Sequence, residues 1–126
     1  MKRYLGVDYG TKRIGLAIGD SETKTAVVFG TVADINGVVE AVKEEEIDAV
    51  VLGAPYSLAS NKHALPENFQ NFLAALKAAL PGTGIILEDE RLSSKYADSL
   101  AGNKKAQASR DEIAAVSILQ GYLDRS

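Results

Sequence analysis

Hydrophobic positions divide the chain into runs of two kinds, one repeating every second residue and one repeating every three to four. Tyr4 to Val7 reads as a short buried strand, and the turn residues Tyr9-Gly10-Thr11 follow it. In Ile14-Gly15-Leu16-Ala17-Ile18-Gly19, bulky residues then alternate with Gly, Ala and Gly. A period-two run with one bulky face and one small face is a strand, so the two segments form a hairpin. Thr25 to Thr31, after the polar turn Asp20-Ser21-Glu22, supplies a third strand and completes an antiparallel meander.

The pattern then changes to helical spacing. Asp34 is placed to cap a helix whose apolar stripe is Ile35, Val38, Val39 and Val42, with Glu44, Glu45 and Glu46 at its end opposing the helix dipole. Ala49-Val50-Val51-Leu52-Gly53 is a continuous apolar run, as expected of a strand covered on both faces. Pro66 and Glu67 suit a first helical turn, and Phe69, Phe72, Leu73, Leu76 and Leu80 form one stripe before Pro81-Gly82 stops it. Ile85-Ile86-Leu87 is a further strand. Ser93 or Ser94 starts a short helix, Gly102 to Ala108 is a polar loop, and a last helix runs from Ser109 to about Leu123. The order βββαβαβαα, with right-handed crossovers, sets the two later strands parallel to the first. The expected fold class is α/β: a five-stranded mixed sheet with helices on both faces.

A length of 126 residues fits one domain, 1–126, and 46% hydrophobic with 25% charged residues describes an ordinary folded chain. No apolar stretch approaches the length of a membrane span, and Met1-Lys2-Arg3 runs straight into a strand rather than a signal-peptide core, so a cytoplasmic location without membrane contact is expected. The absence of cysteine excludes disulfides, thiolate metal sites and Cys nucleophiles. A net charge of −3 argues mildly against a nucleic-acid partner. That objection weakens if the acids gather around cations, because the basic residues cluster: Lys2, Arg3, Lys12 and Arg13 early, then Arg91, Lys95, Lys104, Lys105 and Arg110.

The candidate chemistry is carboxylate chemistry. Asp8 ends the first strand before the turn Gly10-Thr11, and Glu88-Asp89-Glu90 ends the last strand; in open α/β sheets that edge binds ligands. Any one of these acids alone is better read as a solvated loop residue. Ser109-Arg110-Asp111-Glu112 has the form of a capping box, which puts Asp111 in the first helical turn and in line with Ala114, Ala115, Ile118 and Tyr122. A carboxylate on an apolar stripe has to be paired, protonated or bound to metal, although an acid in a first turn also simply favours the dipole. The two alanines let this helix approach the sheet. Acids converging without Cys, and with His63 as the one histidine in a polar loop, suit hard Mg²⁺ or Mn²⁺ ions in phosphodiester hydrolysis, where two ions hold the attacking water and the leaving oxygen.

Three blocks carry a resemblance: Asp8-Tyr9-Gly10-Thr11-Lys12-Arg13-Ile14-Gly15, then Asp89-Glu90-Arg91-Leu92-Ser93-Ser94, then Asp111 with Ala114-Ala115 and Ile118-Leu119-Gln120-x-Tyr122-Leu123. Their order and residues resemble the signature blocks of the YqgF (RuvX) family of bacterial nucleases and span nearly the whole chain. The resemblance implies a ribonuclease H-like fold related to the RuvC Holliday-junction resolvases. It also implies a role in maturing the 5′ end of small-subunit ribosomal RNA, with branched DNA as the alternative substrate and either a monomer or a homodimer as the working form. By motif position Asp8, Glu90 and Asp111 would be the catalytic, metal-binding acids of a two-metal Mg²⁺ or Mn²⁺ site. Strand alternation by itself puts Glu88 and Glu90 on one face and leaves Asp89 as the other candidate. Gly10, Thr11, Lys12, Arg13 and Arg91 would contact substrate, Arg offering phosphate a planar fork and Lys a point charge. Lys104 and Lys105 either clamp the strand or sit in a solvated loop. The segment Ala54-Pro55-Tyr56-Ser57-Leu58-Ala59-Ser60 departs from the family's Leu-Pro followed by Asn and Gly and keeps only Pro55, which puts one polar contact at the rim in doubt and leaves the three acids untouched.

Two rivals share this pattern. A phosphate-binding module of the actin and sugar-kinase type also opens with D-x-G-T-x-x-x-G, but it needs a second domain to close over the nucleotide. A catalytically silent nucleic-acid-binding domain could use the same fold.

Overall fold

In the computed structural model, which describes residues 1–10, 12–54, 66–89 and 110–126, the small and bulky faces of the second strand meet different helices. The elements are β1 (Arg3–Asp8), β2 (Ile14–Asp20), β3 (Val27–Val32), α1 (Ile35–Glu44), β4 (Ala49–Ala54), α2 (Glu67–Ala79), β5 (Gly84–Asp89) and α3 (Arg110–Arg125). One sheet has the order β3-β2-β1-β4-β5. β1 pairs with β2, and β2 with β3, antiparallel; β4 pairs parallel to both β1 and β5. This is the expected mixed sheet. The expected helix at Ser93 or Ser94 and the Ser109 cap lie outside the described residues.

Because side chains alternate across a strand, each strand contributes to two cores. Leu5, Val7, Ile14, Leu16, Val50 and Leu52 face α1 and α2, whose Val38, Val42, Phe69, Phe72 and Leu76 cover them. Tyr4, Ala17, Ala49 and Val51 face the other way and are covered by Ala115, Ile118, Leu119 and Leu123 of α3. Val50, Val51 and Leu52 are fully buried, which is why β4 reads as an unbroken apolar run.

On the α3 side the sheet is floored with glycine. A Cβ at Gly6 would lie 2.7 Å from Leu119 Cβ and 2.8 Å from the Ala115 carbonyl oxygen, and one at Gly19 would lie 3.1 Å from Leu123 Cδ1. The close approach expected from Ala114 and Ala115 is therefore made mainly by the sheet: Ala115 is fully buried, whereas Ala114 is only half-buried.

Several element ends differ from expectation, each for a local reason. α1 is capped as expected, the Asp34 carboxylate accepting from the Asn36 and Gly37 N–H groups. Pro66 stands outside α2 as its N-cap, with extended ψ of 145°, instead of in its first turn. β3 begins at Val27, because the N–H of Ala26 is taken by the Gln120 side chain of α3 at 2.8 Å while Gln120 Nε2 donates to the Lys24 carbonyl at 2.9 Å. A register shift between Leu16 and Ala17 bulges β3 at Phe29, on the open edge of the sheet.

Asp20 organises the turn between β2 and β3. Its Oδ1 accepts from the N–H groups of Thr23 (2.8 Å) and Glu22 (2.9 Å) and from the Thr23 hydroxyl (3.2 Å). The Thr23 N–H bond is the largest reason its carboxyl is held below the ordinary aspartate range. A carboxylate lowered in the folded state contributes stability that is complete above the unfolded pKa and is lost as pH falls through the folded one. Asp20→Asn should therefore flatten the decline in melting temperature below about pH 4; an acid limb identical to wild type would contradict this role.

Candidate active site

β1, β4 and β5 run parallel, so their C-terminal ends share one edge of the sheet. Asp8 is the last residue of β1, and alternation places it with Tyr4 and Gly6 on the face covered by α3. Its cross-strand partner is Gly15. At Gly15 the first turn of α3 presses directly on the sheet: a Cβ there would meet the Asp111 carbonyl oxygen at 2.0 Å, its carbon at 2.4 Å and the Glu112 nitrogen at 3.0 Å. Only hydrogen fits between β2 and that turn. Two carboxylate residues far apart in sequence, Asp8 and Asp111, are thereby brought to the same edge and the same face.

The β1–β2 turn is held from both sides. The Tyr9 ring stacks on Phe72 at 4.4 Å and meets Phe69 edge-on at 6.4 Å, fixing the chain just beyond Asp8. A Cβ at Gly10 would lie 2.5 Å from the Arg13 carbonyl oxygen, so the turn closes only with glycine there. Arg13 then reaches across to α3: its Nε donates to Asp111 Oδ2 at 3.2 Å, with the Arg13 side chain 66% and the Asp111 side chain 28% exposed. Lys12 is exposed beside it. Thr11 lies outside the described residues.

Of the acidic run at the end of β5, Glu88 pairs in register with Gly53 and lies on the Asp8 face, while Asp89 pairs with Ala54 on the opposite one. Glu88 is buried, and its carboxylate forms an ion pair with the Arg125 guanidinium in the last turn of α3. Burial pushes the Glu88 carboxyl above the ordinary glutamate range, and Arg125 opposes the shift. Glu88 thus anchors the C-terminal end of α3. Glu90, Arg91, Lys104, Lys105 and His63 lie outside the described residues.

The structure corrects the early basic cluster. Lys2 and Arg3 sit at the opposite end of β1 from Lys12 and Arg13, and Arg3 is occupied with Glu45 at 3.2 Å and, through its N–H, with Asp48 at 2.8 Å. Of these four, Arg13 is the one bonded to Asp111, with Lys12 next to it in the chain.

Among the described residues no group of three His, Cys, Asp or Glu side chains is gathered closely enough to hold a metal ion. The residues nonetheless fit a hard divalent cation in kind: two carboxylates at one edge and oxygen donors only, one of them now paired with a guanidinium. No helix among the described residues is long and apolar enough to cross a membrane.

Comparison with known proteins adds three kinds of similarity. A family model described as RuvX, Holliday junction resolvase, matches residues 2–125. A protein of Halalkalibacterium halodurans bearing the name "Putative pre-16S rRNA nuclease" is 35% identical over 136 residues, covering 98% of this chain and 96% of the relative. A relative of the same name from Chlorobaculum tepidum is 37% identical over 134 residues, covering 98% and 94%. Among solved structures, T. thermophilus RuvC in complex with Holliday junction substrate superposes with a TM-score of 0.70 at 15% identity, covering 96% of this chain and 92% of that one. A second Thermus thermophilus RuvC structure gives 0.68 at 16% identity. These superpositions carry the fold, a ribonuclease H-like α/β sheet.

Proposed function

Because this chain belongs to the RuvX family, we propose that it is a divalent-cation-dependent nuclease that hydrolyses phosphodiester bonds near the 5′ end of precursor 16S ribosomal RNA. The names of its relatives support the substrate. The observation that supports the chemistry is the seating of Asp111 on Gly15, the strand partner of Asp8, which brings two carboxylate residues to one edge of the sheet.

In this reading Asp8 and Asp111, with Glu90 that follows β5 in the sequence, would hold the cations. Bound Mg²⁺ or Mn²⁺ supplies an acidified water and charge stabilisation at the phosphorus and the leaving oxygen. The chain's own task is to fix the carboxylates before substrate arrives, since displacement of a reacting group by 1 Å costs about a hundredfold in rate. The glycine floor under α3 and the Tyr9–Phe72 stack provide that rigidity. Lys12 and Arg13 draw in the phosphates flanking the cut, with Gly10 and Thr11 offering backbone in the turn. Arg91, Lys104 and Lys105, outside the described residues, are further candidate phosphate contacts in this reading. These local cations offset an overall charge of −3.

The family description gives branched DNA as a second reading, and one experiment separates the two. A precursor 16S RNA fragment with an extended 5′ end and a four-way DNA junction are incubated with the protein in Mg²⁺ and in Mn²⁺, with and without chelator. Cleavage of the RNA at a defined 5′ position that chelator abolishes is expected. Cutting of the junction alone would transfer the assignment to branched DNA, and chelator-resistant cleavage would remove the cation from it.

A further inference from the structure

We propose that Arg13 is a resident counter-charge for the cation site: it holds Asp111 while the site is free of metal and is released to a nucleic-acid phosphate when a divalent cation takes that carboxylate. The inference rests on the reading of Asp8 and Asp111 as cation ligands.

The geometry sets up an exchange. The Arg13 backbone is fixed, because Ile14 beyond it is buried in the core and Gly10 packs against its carbonyl oxygen. Its side chain is two-thirds exposed and carries the guanidinium over α3 to Asp111. The contact is a single one through Nε at 3.2 Å rather than a two-pronged fork, which is the weaker form of an arginine–carboxylate pair. Such exposed pairs are shallow, so a doubly charged ion displaces the guanidinium readily. On displacement the guanidinium leaves Asp111 as a cation, one carboxylate away from where a phosphate would lie. In the metal-free protein it offsets the Asp111 charge at an edge that also bears Asp8; once displaced, it is a full positive charge beside the scissile strand. Cation binding and phosphate capture are thereby coupled through one side chain.

The test follows the Nε–H resonance of Arg13 in protein carrying ¹⁵N-labelled arginine, together with the carboxyl carbon of Asp8. In metal-free protein the Arg13 Nε–H should exchange slowly with water, and Asp111→Asn should speed that exchange. Saturating Mg²⁺ on the wild type should speed it likewise, and a short single-stranded RNA added afterwards should slow it again. In parallel, Mn²⁺ binding followed by electron paramagnetic resonance should tighten about two- to five-fold in Arg13→Gln. It should tighten less in Lys12→Gln, which removes a neighbouring charge that is not bonded to Asp111.

An Arg13 signal indifferent to Asp111→Asn would overturn the proposal, as would one that stays protected while Mg²⁺ shifts the Asp8 carboxyl. Equal tightening in the two glutamine variants would reduce Arg13 to a general surface charge. Exchange that RNA leaves unchanged would remove the transfer to phosphate. An Asp8 carboxyl that Mg²⁺ fails to move would contradict the cation site itself and not merely the role of Arg13.

Discussion

Asp8→Asn is expected to abolish cation-dependent cleavage while leaving the fold intact. Asparagine matches aspartate in shape, so β1 keeps its register with Gly15 and its place against α3. What disappears is a charged oxygen, the one that binds the cation in the proposed function. Metal-based stabilisation of developing charge is worth several kcal/mol, and each 1.36 kcal/mol is a factor of ten in rate; a loss of about a thousandfold or more follows. The measurement is single-turnover cleavage of the precursor RNA in Mg²⁺ and Mn²⁺, with circular dichroism confirming that the melting temperature has not fallen. Activity within a few-fold of wild type would take Asp8 out of the chemistry and point to a contaminating nuclease.

Gly15→Val should act through packing and should be as severe for stability as Asp8→Asn is for rate. Its Cβ would have to share space with the Asp111 carbonyl, 2.0 Å away, and that atom belongs to helix backbone that cannot turn aside. The first turn of α3 would be lifted from β2, opening the contact between Ala115, Leu119 and the sheet that forms the second core. Overpacking ordinarily costs about 1–3 kcal/mol, and a clash with backbone lies at or beyond the upper end of that range. Chemical denaturation of Gly15→Val beside Gly82→Ala makes the comparison, since a Cβ at Gly82 meets nothing within 4 Å. A large drop in midpoint for the first and almost none for the second is expected. Equal, small effects would mean that α3 does not press on Gly15. Residual folded Gly15→Val should also cleave poorly, because the same contact positions Asp111.

The two outcomes separate ligand chemistry from the scaffold that aims it, and they also mark what could be read from the sequence. Alternation in Ile14–Gly19 gave a strand with a bulky and a small face, and both are present: Ile14 and Leu16 against α1 and α2, Ala17 and its flanking glycines against α3. The stripes of α1 and α2 and the unbroken β4 run were legible for the same reason, since burial repeats with the period of the element. A local period carries no address, however. It does not say which helix lies on the small face, and the signal that would have named α3 is the joint occurrence of Gly6, Gly15 and Gly19 on one face with a helix whose inner residue is Ala115.

Long-range polar pairs were beyond reach for a similar reason. The sequence offers Arg13 as a candidate phosphate contact and Asp111 as a candidate cation ligand, but their mutual ion pair depends on a crossing of turn and helix that neither segment encodes alone. The pairing of Glu88 with Arg125, and the Gln120 amide that ties Lys24 and Ala26 to α3, are of the same kind. Lys2 and Arg3 look adjacent to Lys12 and Arg13 in the sequence because only β1 and a turn intervene, yet the strand carries the two pairs to opposite ends of the sheet. The candidate acids at the strand ends followed from topology. Choosing Glu90 from its neighbours came from the family resemblance.

The proposed chemistry requires that the carboxylates of Asp8, Glu90 and Asp111 share divalent cations. Crystals grown with Mn²⁺, examined by anomalous scattering at the manganese edge, ask that question directly. The expected map has manganese peaks at the C-terminal edge of β1 and β5, within bonding distance of oxygens from all three side chains, with Arg13 swung away from Asp111. A saturated crystal with no peak at that edge, or with manganese bound elsewhere while Arg13 still holds Asp111, would contradict it.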